Sequence, residues 1–304
     1  MRSAFVTGAA GFSGAVLVER LIESGNRVYA MVRPGSLHNS RLVELFDQYG
    51  DDSIRLVEAE LSDLASVEKA VREQTPEETI DVFFHLAWTG DKSLYSQFDN
   101  VQYSLDAMRL AHNLGCKRFI ATGSQAEYGM VPPFEVEVED RILEPFSAYG
   151  AAKVAACYLS RQHATELGID WIWGRIFSLI GKYEPPGRML PALYNALKWG
   201  EVFSLSSCTQ NWDYLDVYDA ADALIALAER GVPGEVYNIA SGDYRPLKEY
   251  TEELKGIVGS GNIIYGEDAD PYVSLQPSVE KIRKDTGWSP KRSFIDSIKD
   301  YEAY

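Results

Sequence analysis

Short apolar runs punctuate the first 180 residues at regular intervals. Residues 3–6, 27–32, 54–58, 82–85 and 118–122 are each apolar almost throughout, with no polar alternation. Between them, at 11–24, 39–49, 64–73 and 101–114, apolar residues recur three and four positions apart. The first pattern predicts strands buried on both faces, and the second predicts amphipathic helices. Strand and helix in strict alternation predict an α/β fold, a doubly wound parallel sheet with helices on both sides. A further helix at 149–167 leads into a strand at 169–175.

After Phe177 the texture changes. Glu184-Pro185-Pro186-Gly187 marks a loop, 189–198 and 248–258 have helical spacing, and Pro233-Gly234 and Ser241-Gly242 interrupt the rest. This part reads as a smaller mixed α/β lobe closing over the carboxyl ends of the strands. The helical stretch 215–229 reads as returning to the sheet. The division expected is therefore 1–177, with 212–240 returning to it, as the nucleotide-binding domain. Residues 178–211 and 241–304 would form a substrate-binding lobe.

Composition narrows the class. The chain of 304 residues is 46% hydrophobic, enough for an ordinary core, and carries a net charge of −16. Such a charge argues against nucleic acid or an anionic membrane as partner. It also means that an anionic ligand needs locally placed Arg, Lys or helix ends. No window of about 18 apolar residues predicts a membrane span. The start Met1-Arg2 could imitate a signal peptide, but the glycines that follow are spaced for a turn and Glu19-Arg20 comes soon after. Cys116, Cys157 and Cys208 are odd in number and far apart. They form no metal spacing and fit reduced thiols in a cytoplasmic protein.

Candidate chemistry begins at the first strand. Thr7-Gly8-Ala9-Ala10-Gly11-Phe12-Ser13-Gly14 lies between that strand and the first helix. Such a turn aims backbone N–H groups and a helix N-terminus at one spot, which suits a pyrophosphate. Gly8 serves the turn, Gly11 the approach of the ligand, and Gly14 the packing of helix on strand. At the end of the second strand, where NAD selectivity usually needs an acid for the ribose hydroxyls, the chain has Arg33. An arginine there can pair with a 2′-phosphate and stack on adenine. NADP(H) is therefore favoured, with NAD(H) the other option.

Tyr149 and Lys153 stand four apart at the start of the long helix, on one face. A phenol with a pKa near 10 is a poor acid–base at neutral pH, and bringing it to about 7 takes roughly 4 kcal/mol. One cation about 4 Å away in an effective dielectric of 20 supplies about that much; a longer separation would need help from the charge of an oxidised nicotinamide. Tyr194…Lys198 and Tyr244…Lys248 share the spacing, but only Tyr149 opens the helix after the fifth strand. That strand ends near Ser124, whose hydroxyl would face the crevice and hold a reacting oxygen near Tyr149.

Together the glycine turn, the strand Asp81-Val82-Phe83-Phe84-His85-Leu86-Ala87, Asn100-Val101, Ser124…Tyr128-Gly129, Tyr149…Lys153, 212–217 and Gly287-Trp288-Ser289-Pro290 resemble the extended short-chain dehydrogenase/reductase superfamily, the NAD-dependent epimerase/dehydratase family. The resemblance spans essentially the whole chain. It implies a Rossmann-type fold, a nucleotide-sugar substrate, and Ser124, Tyr149 and Lys153 as catalytic set. It also implies cofactor contacts from Gly8, Gly11, Phe12, Gly14, Arg33, Glu60, Leu61, Leu86 and Ala87, together with Tyr149 and Lys153. A homodimer through the helices at 101–114 and 149–167 follows from the same likeness.

Departures from the family pattern are informative. Dehydratases and decarboxylases of the family carry an acid two residues before the tyrosine of the Tyr-Gly pair, and dehydratases another just ahead of it. Those places hold Ala126 and Gln125, which disfavours both reactions. Glu127 is one position off, and on an extended segment it would point to the opposite face; a role in ribose or substrate binding stays open for it. Ser178 stands where many relatives have asparagine, and Trp212 where many have the arginine that clamps a diphosphate. Arg188 or Arg245 would substitute for that arginine, while Trp212 would stack on a base or sugar. Substrate contacts are thus expected from Ser124, Gln125, Ser178, Arg188 and Trp212. His85 reads as packing, and His112 and His163 as structural.

The phrase Gly-Ser-Gln-Ala-Glu-Tyr-Gly looks like that of the 4-ketoreductases of deoxysugar pathways, such as the CDP-abequose and CDP-paratose synthases. The expected activity is NADPH-dependent reduction of a nucleotide-linked 4-keto-6-deoxyhexose. The alternatives are an NAD-dependent nucleotide-sugar epimerase and a dinucleotide-binding regulatory protein without turnover.

Overall fold

The computed structural model of the chain describes residues 1–74, 79–132, 134–267 and 274–303. The elements run in the order β1 (Ser3–Thr7), α1 (Phe12–Glu23), β2 (Arg27–Val32), α2 (Ser40–Tyr49), β3 (Ile54–Glu58), α3 (Leu64–Gln74), β4 (Val82–His85), α4 (Leu94–Asn113), β5 (Arg118–Ser124), α5 (Ala148–Leu167) and β6 (Asp170–Ile176). They continue with β7 (Ser178–Ile180), α6 (Met189–Lys198), β8 (Val202–Leu205), β9 (Asn211–Trp212), β10 (Tyr214–Asp216), α7 (Val217–Arg230), β11 (Val236–Ile239), β12 (Arg245–Pro246), α8 (Leu247–Val258), β13 (Asn262–Tyr265), α9 (Glu280–Thr286) and α10 (Phe294–Lys299).

Seven strands form one parallel sheet in the order β11-β6-β5-β4-β1-β2-β3. The sequence direction reverses between β1 and β4, so a crevice opens above the carboxyl ends of those strands. Alternate residues feed two cores. Phe5, Phe83 and Phe119 stack in a row across one face, with ring centroids 4.8 and 5.5 Å apart, beneath α3, α4 and α5. Their neighbours Val6, Phe84 and Ile120 bury against α1 and α7 on the other face. Both faces being covered explains why the strands show no polar alternation. The sheet is thus a Rossmann-type doubly wound sheet, as the patterning predicts.

A third apolar cluster, around Leu190, Leu193, Leu197, Leu254, Ile263 and Ile298, belongs to the smaller lobe. Its strands are short pairs: β7 with β10, β9 with β12, and β8 with β13. Among the described residues no helix is long and apolar enough to cross a membrane.

Two boundaries differ from the periodicity. The helix expected at 101–114 begins at Leu94, capped by the Ser93 hydroxyl, which accepts from the Ser96 amide. Its first turns expose Leu94, Tyr95 and Phe98, so burial does not mark them. The stretch expected as helix from 215 starts as strand β10. Asp216 ends that strand and caps α7, its carboxylate accepting from the Tyr218 amide at 2.7 Å.

The segment 134–141 is tied to 275–278 through Glu137. Its amide donates to the Gln276 carbonyl (3.0 Å), its carbonyl accepts from Ser278 (2.9 Å), and its carboxylate accepts from the Gln276 amide (2.6 Å). Burial pushes the Glu137 carboxyl up to about 7, against those hydrogen bonds. The folded protein therefore keeps a proton that the unfolded chain releases near pH 4.5, and the associated stability disappears as pH rises through 7. Glu137→Gln is expected to remove this dependence, leaving roughly 2 kcal/mol less loss between pH 5 and 8 than in the wild type. Urea midpoints across that range, compared between the two proteins, check it; parallel curves would refute it.

Candidate active site

The glycine turn joins β1 to α1 at the crevice. Gly8 has φ +69°, a conformation that L side chains rarely adopt, and a Cβ there would press on the backbone of Ala87. A Cβ on Gly14 would overlap the Gly8 carbonyl, so α1 packs directly on the turn. Gly11 differs: a Cβ there would meet only the Gly8 carbonyl oxygen, at 3.1 Å, and otherwise open space. That space is the cleft, so a side chain at 11 would fill the cradle that a pyrophosphate needs. The turn therefore fits a dinucleotide.

From the turn one arm of the cleft runs over β2 and β3. It is lined by Val32, Arg33, Ser36, His38, Asn39, Glu60, Leu61, Leu86 and Ala87. Arg33, at the end of β2, is exposed and free to meet a ligand. Phe12 lies on the other arm, a cavity of about 690 Å³. There β5 and α5 bring Ser124, Gln125, Tyr149 and Lys153 together, facing Ser178, Arg188 and Trp212 from the smaller lobe. Gly14 lines neither arm and acts in packing.

The start of α5 sets the phenol and the ammonium. Ser147 caps the helix, accepting from the Gly150 amide at 3.1 Å, and Tyr149 and Lys153 follow on one face. Ser124 lies beside the Tyr149 phenol in the cleft. Burial nevertheless holds the Tyr149 pKa above its usual value, with the Ser124 contact opposing. The Lys153 ammonium is 5.9 Å from the centre of the Tyr149 ring. Tyr149 therefore rests protonated, ready to give a proton.

Lys153 is fully enclosed. It donates to the Thr122 carbonyl at 2.7 Å and lies 3.6 Å from the centre of the Trp88 ring. Burial pulls its pKa down to about 7, while Glu127 raises it. Trp88 also meets Tyr149 edge-on at 6.1 Å and is fixed by its indole N–H on the Gln97 carboxamide oxygen, 2.9 Å away. Sequence reasoning did not pick out Trp88, although it directly follows Leu86-Ala87.

His85 is buried between the Thr7 hydroxyl (2.9 Å) and the Ser104 hydroxyl (3.3 Å). Burial, with Lys153 nearby, depresses its pKa to about 3, so it stays neutral in the core. It takes the packing place expected of it.

Glu127 does not behave as an extended-strand residue would. β5 ends at Ser124, and Gln125–Glu127 make a single 3-10 turn closed by a reciprocal Ser124/Glu127 cap. The turn folds Glu127 inward, fully buried, onto Arg175 of β6 at 2.8 Å. A charge inside an otherwise apolar strand, as in Trp173-Gly174-Arg175-Ile176, is a signal that could have announced a buried partner.

On the side of the smaller lobe, Arg188 precedes α6 without a side-chain capping bond, donates to the Leu179 carbonyl (3.2 Å) and lies 5.3 Å from the Phe12 ring centre. Trp212 presents a buried indole N–H with no hydrogen-bond partner among the described residues. Arg245, the other arginine considered, pairs with Glu253 and stacks 4.0 Å over the Tyr250 ring, outside the cleft lining. Glu184 lines the cleft beside Arg188; burial pushes it up to about 7 although it accepts from the Tyr301 hydroxyl. Among the described residues no group of three or more His, Cys, Asp or Glu is placed to hold a metal ion.

Comparison with known proteins bears on the family and the fold. The model of the NAD dependent epimerase/dehydratase family matches residues 4–240. The UDP-glucose 4-epimerase of Corynebacterium glutamicum is 25% identical, over 96% of this chain and 92% of its own length. The dTDP-glucose 4,6-dehydratase of Bacillus anthracis, solved with NAD, superimposes with a TM-score of 0.86 at 19% identity, covering 100% of this chain and 97% of its own. The UDP-glucose 4-epimerase of Thermotoga maritima, solved with UDP-glucose, gives 0.82 at 22% identity, covering 99% and 98%.

Proposed function

Since this chain belongs to the NAD dependent epimerase/dehydratase family, we propose that it reduces a nucleotide-linked 4-keto-6-deoxyhexose with NADPH. The observation that carries the choice of reduction is Arg33 on the cleft at the end of β2, where an acid would grip the hydroxyls of NAD. Gln125 and Ala126, in place of carboxylates, support reduction over dehydration because water elimination lacks its acid and base.

The turn of Gly8 and Gly11 and the start of α1 would hold the diphosphate, with Arg33 at the 2′-phosphate, Glu60 and Leu61 by the adenine, and Leu86 and Ala87 toward the nicotinamide. A bound NADPH supplies the hydride. Ser124 holds the ketone oxygen and Tyr149, protonated at rest, gives it the proton. Lys153 stabilises the phenolate left behind and holds the ribose. Its point charge matters here because Lys153 itself is buried, where a field acts strongly. Arg188 would meet the substrate diphosphate, and the unpartnered Trp212 N–H would donate to a sugar or base oxygen. Residues 178–211 and 241–304 would then serve as the substrate lobe. The exposed Leu94, Tyr95, Phe98, Tyr158 and Leu159 on α4 and α5 support a homodimer that covers them.

The second reading is an NAD-dependent epimerase, favoured by the names of the relatives above. It would oxidise and re-reduce one carbon with the same Ser124, Tyr149 and Lys153. Consumption of NADPH and NADH with a panel of nucleotide-linked 4-keto-6-deoxy sugars separates the two. Stoichiometric NADPH oxidation supports reduction. Interconversion of sugar epimers without net consumption, by protein that carries bound NAD, replaces it with the epimerase.

A further inference from the structure

We propose that Glu127 is a positioning residue of the active site: its buried carboxylate fixes the backbone of Ser124 and serves as the counter-ion that keeps Lys153 charged. The proposal rests on the Ser124–Tyr149–Lys153 reading above and adds to it a group that touches neither substrate nor cofactor.

The geometry is specific. One Glu127 oxygen accepts from the Ser124 amide at 2.8 Å and from the Trp173 indole N–H at 2.9 Å; the other accepts from Arg175 Nε at 2.8 Å. A Cβ at position 123 would collide with both that carboxylate and the Trp173 indole, so Gly123 is what lets the group sit under the strand end. Trp173 stands between the two charges: its indole N–H is on Glu127, and its ring centre is 5.9 Å from the Lys153 ammonium. Lys153 is further bound to Thr122, two residues before Ser124.

The charges around the pair are few. Lys153 faces His85 from β4, which is neutral, and Tyr149 from its own helix, which is protonated. Glu127 faces Arg175 from β6, Cys157 and Tyr149 from α5, and Tyr128. Arg175 divides its donors: Nε goes to Glu127, while Nη1 goes to the Tyr128 hydroxyl (3.0 Å) and the Glu139 carbonyl (3.0 Å). Arg175 also faces the Glu139 carboxylate, so its charge is shared between two acids and part of the Glu127 field remains for Lys153. A carboxylate kept only for packing would need no such arrangement, because buried ion pairs seldom add net stability over apolar packing.

The test reads the Lys153 charge directly. The full chain, as purified and without substrate, is labelled with 13Cε-lysine, and the resonance absent from Lys153→Met is titrated by NMR. In Glu127→Gln, which keeps an acceptor for Ser124 but loses the charge, the midpoint is expected to fall by about one pH unit, a tenfold change in proton affinity. In Arg175→Met, which frees the carboxylate, it is expected to rise. An unchanged midpoint in either folded variant overturns the proposal, as does a midpoint below about pH 6 in the wild type should neither variant fold. No substrate enters the titration, so its failure stands apart from failure of the reductase reading, which is judged by NADPH consumption. Where both hold, Glu127→Gln lowers kcat at pH 8 about fivefold more than at pH 6, with KM little changed.

Discussion

Tyr149→Phe is expected to lower kcat about a thousandfold while leaving the fold intact. The phenol is the group in the cleft that combines contact with Ser124 and a retained proton at neutral pH. Removing one general acid costs typically a hundred- to ten-thousandfold. The middle of that range applies, since Tyr149 is the acid beside Ser124 in a cleft that solvent also reaches. The ring itself stays, with its edge-on contact to Trp88, and Ser124 keeps its bond from the Ala126 amide at 3.2 Å. KM for both ligands should therefore move little, and the melting temperature by no more than a few degrees. The measurement is NADPH oxidation with the best sugar of the panel, beside circular dichroism melting. A variant retaining a tenth of wild-type turnover would remove Tyr149 from the chemistry. Loss of turnover with a collapsed melting curve would be answered by Ser124→Ala, which leaves the phenol in place and is expected to cost about a hundredfold.

Much of the sheet was legible because its strands are buried on both faces. β2, β3 and β4 fall at the residues that their runs mark, since the apolar side chains of these strands fill the space against the helical layers, while the edge strand β3 also carries Arg55 and Glu58. The turn between β1 and α1 was legible for a related reason: steric demands at Gly8 and Gly14 leave glycine alone as an option. Ser124, Tyr149 and Lys153 could be placed near one another because each follows from a local rule, a strand end or a helix start. What escaped depends on contacts between distant segments. Glu127 and Arg175 are 48 residues apart, and only the 3-10 turn after Ser124 brings one under the other. Trp88 could not be tied to Lys153 without knowing how β4 and α5 face each other. The lobe was read least well, since its strands are pairs of two to four residues held by neighbours rather than by their own pattern. The start of α4 hid because its first turns carry apolar residues that stay exposed.

Arg33→Asp is expected to reverse the coenzyme preference, moving the ratio of kcat/KM for NADPH over NADH by at least a hundredfold. Arg33 stands where the second strand delivers its last side chain into the cleft, beside Ser36, His38 and Asn39. A hydrogen bond to a charged partner contributes about 1.5–3 kcal/mol, which alone is roughly ten- to a hundredfold. The substitution goes further, because it sets a carboxylate against the 2′-phosphate and offers the ribose hydroxyls of NADH the acid that they lack in the wild type. Glu60 lies on the same arm but after the third strand, so it does not fill that role. The change should appear mainly in KM, since Arg33 lies far along the cleft from Tyr149 and leaves the proton transfer alone; kcat with saturating NADH should remain within a few-fold of the wild-type value with NADPH. Initial rates with both coenzymes, for both proteins, decide it. A wild type that uses the two equally, or a variant whose ratio stays within threefold, would take Arg33 out of the 2′-phosphate site and with it the main reason for choosing reduction over epimerisation.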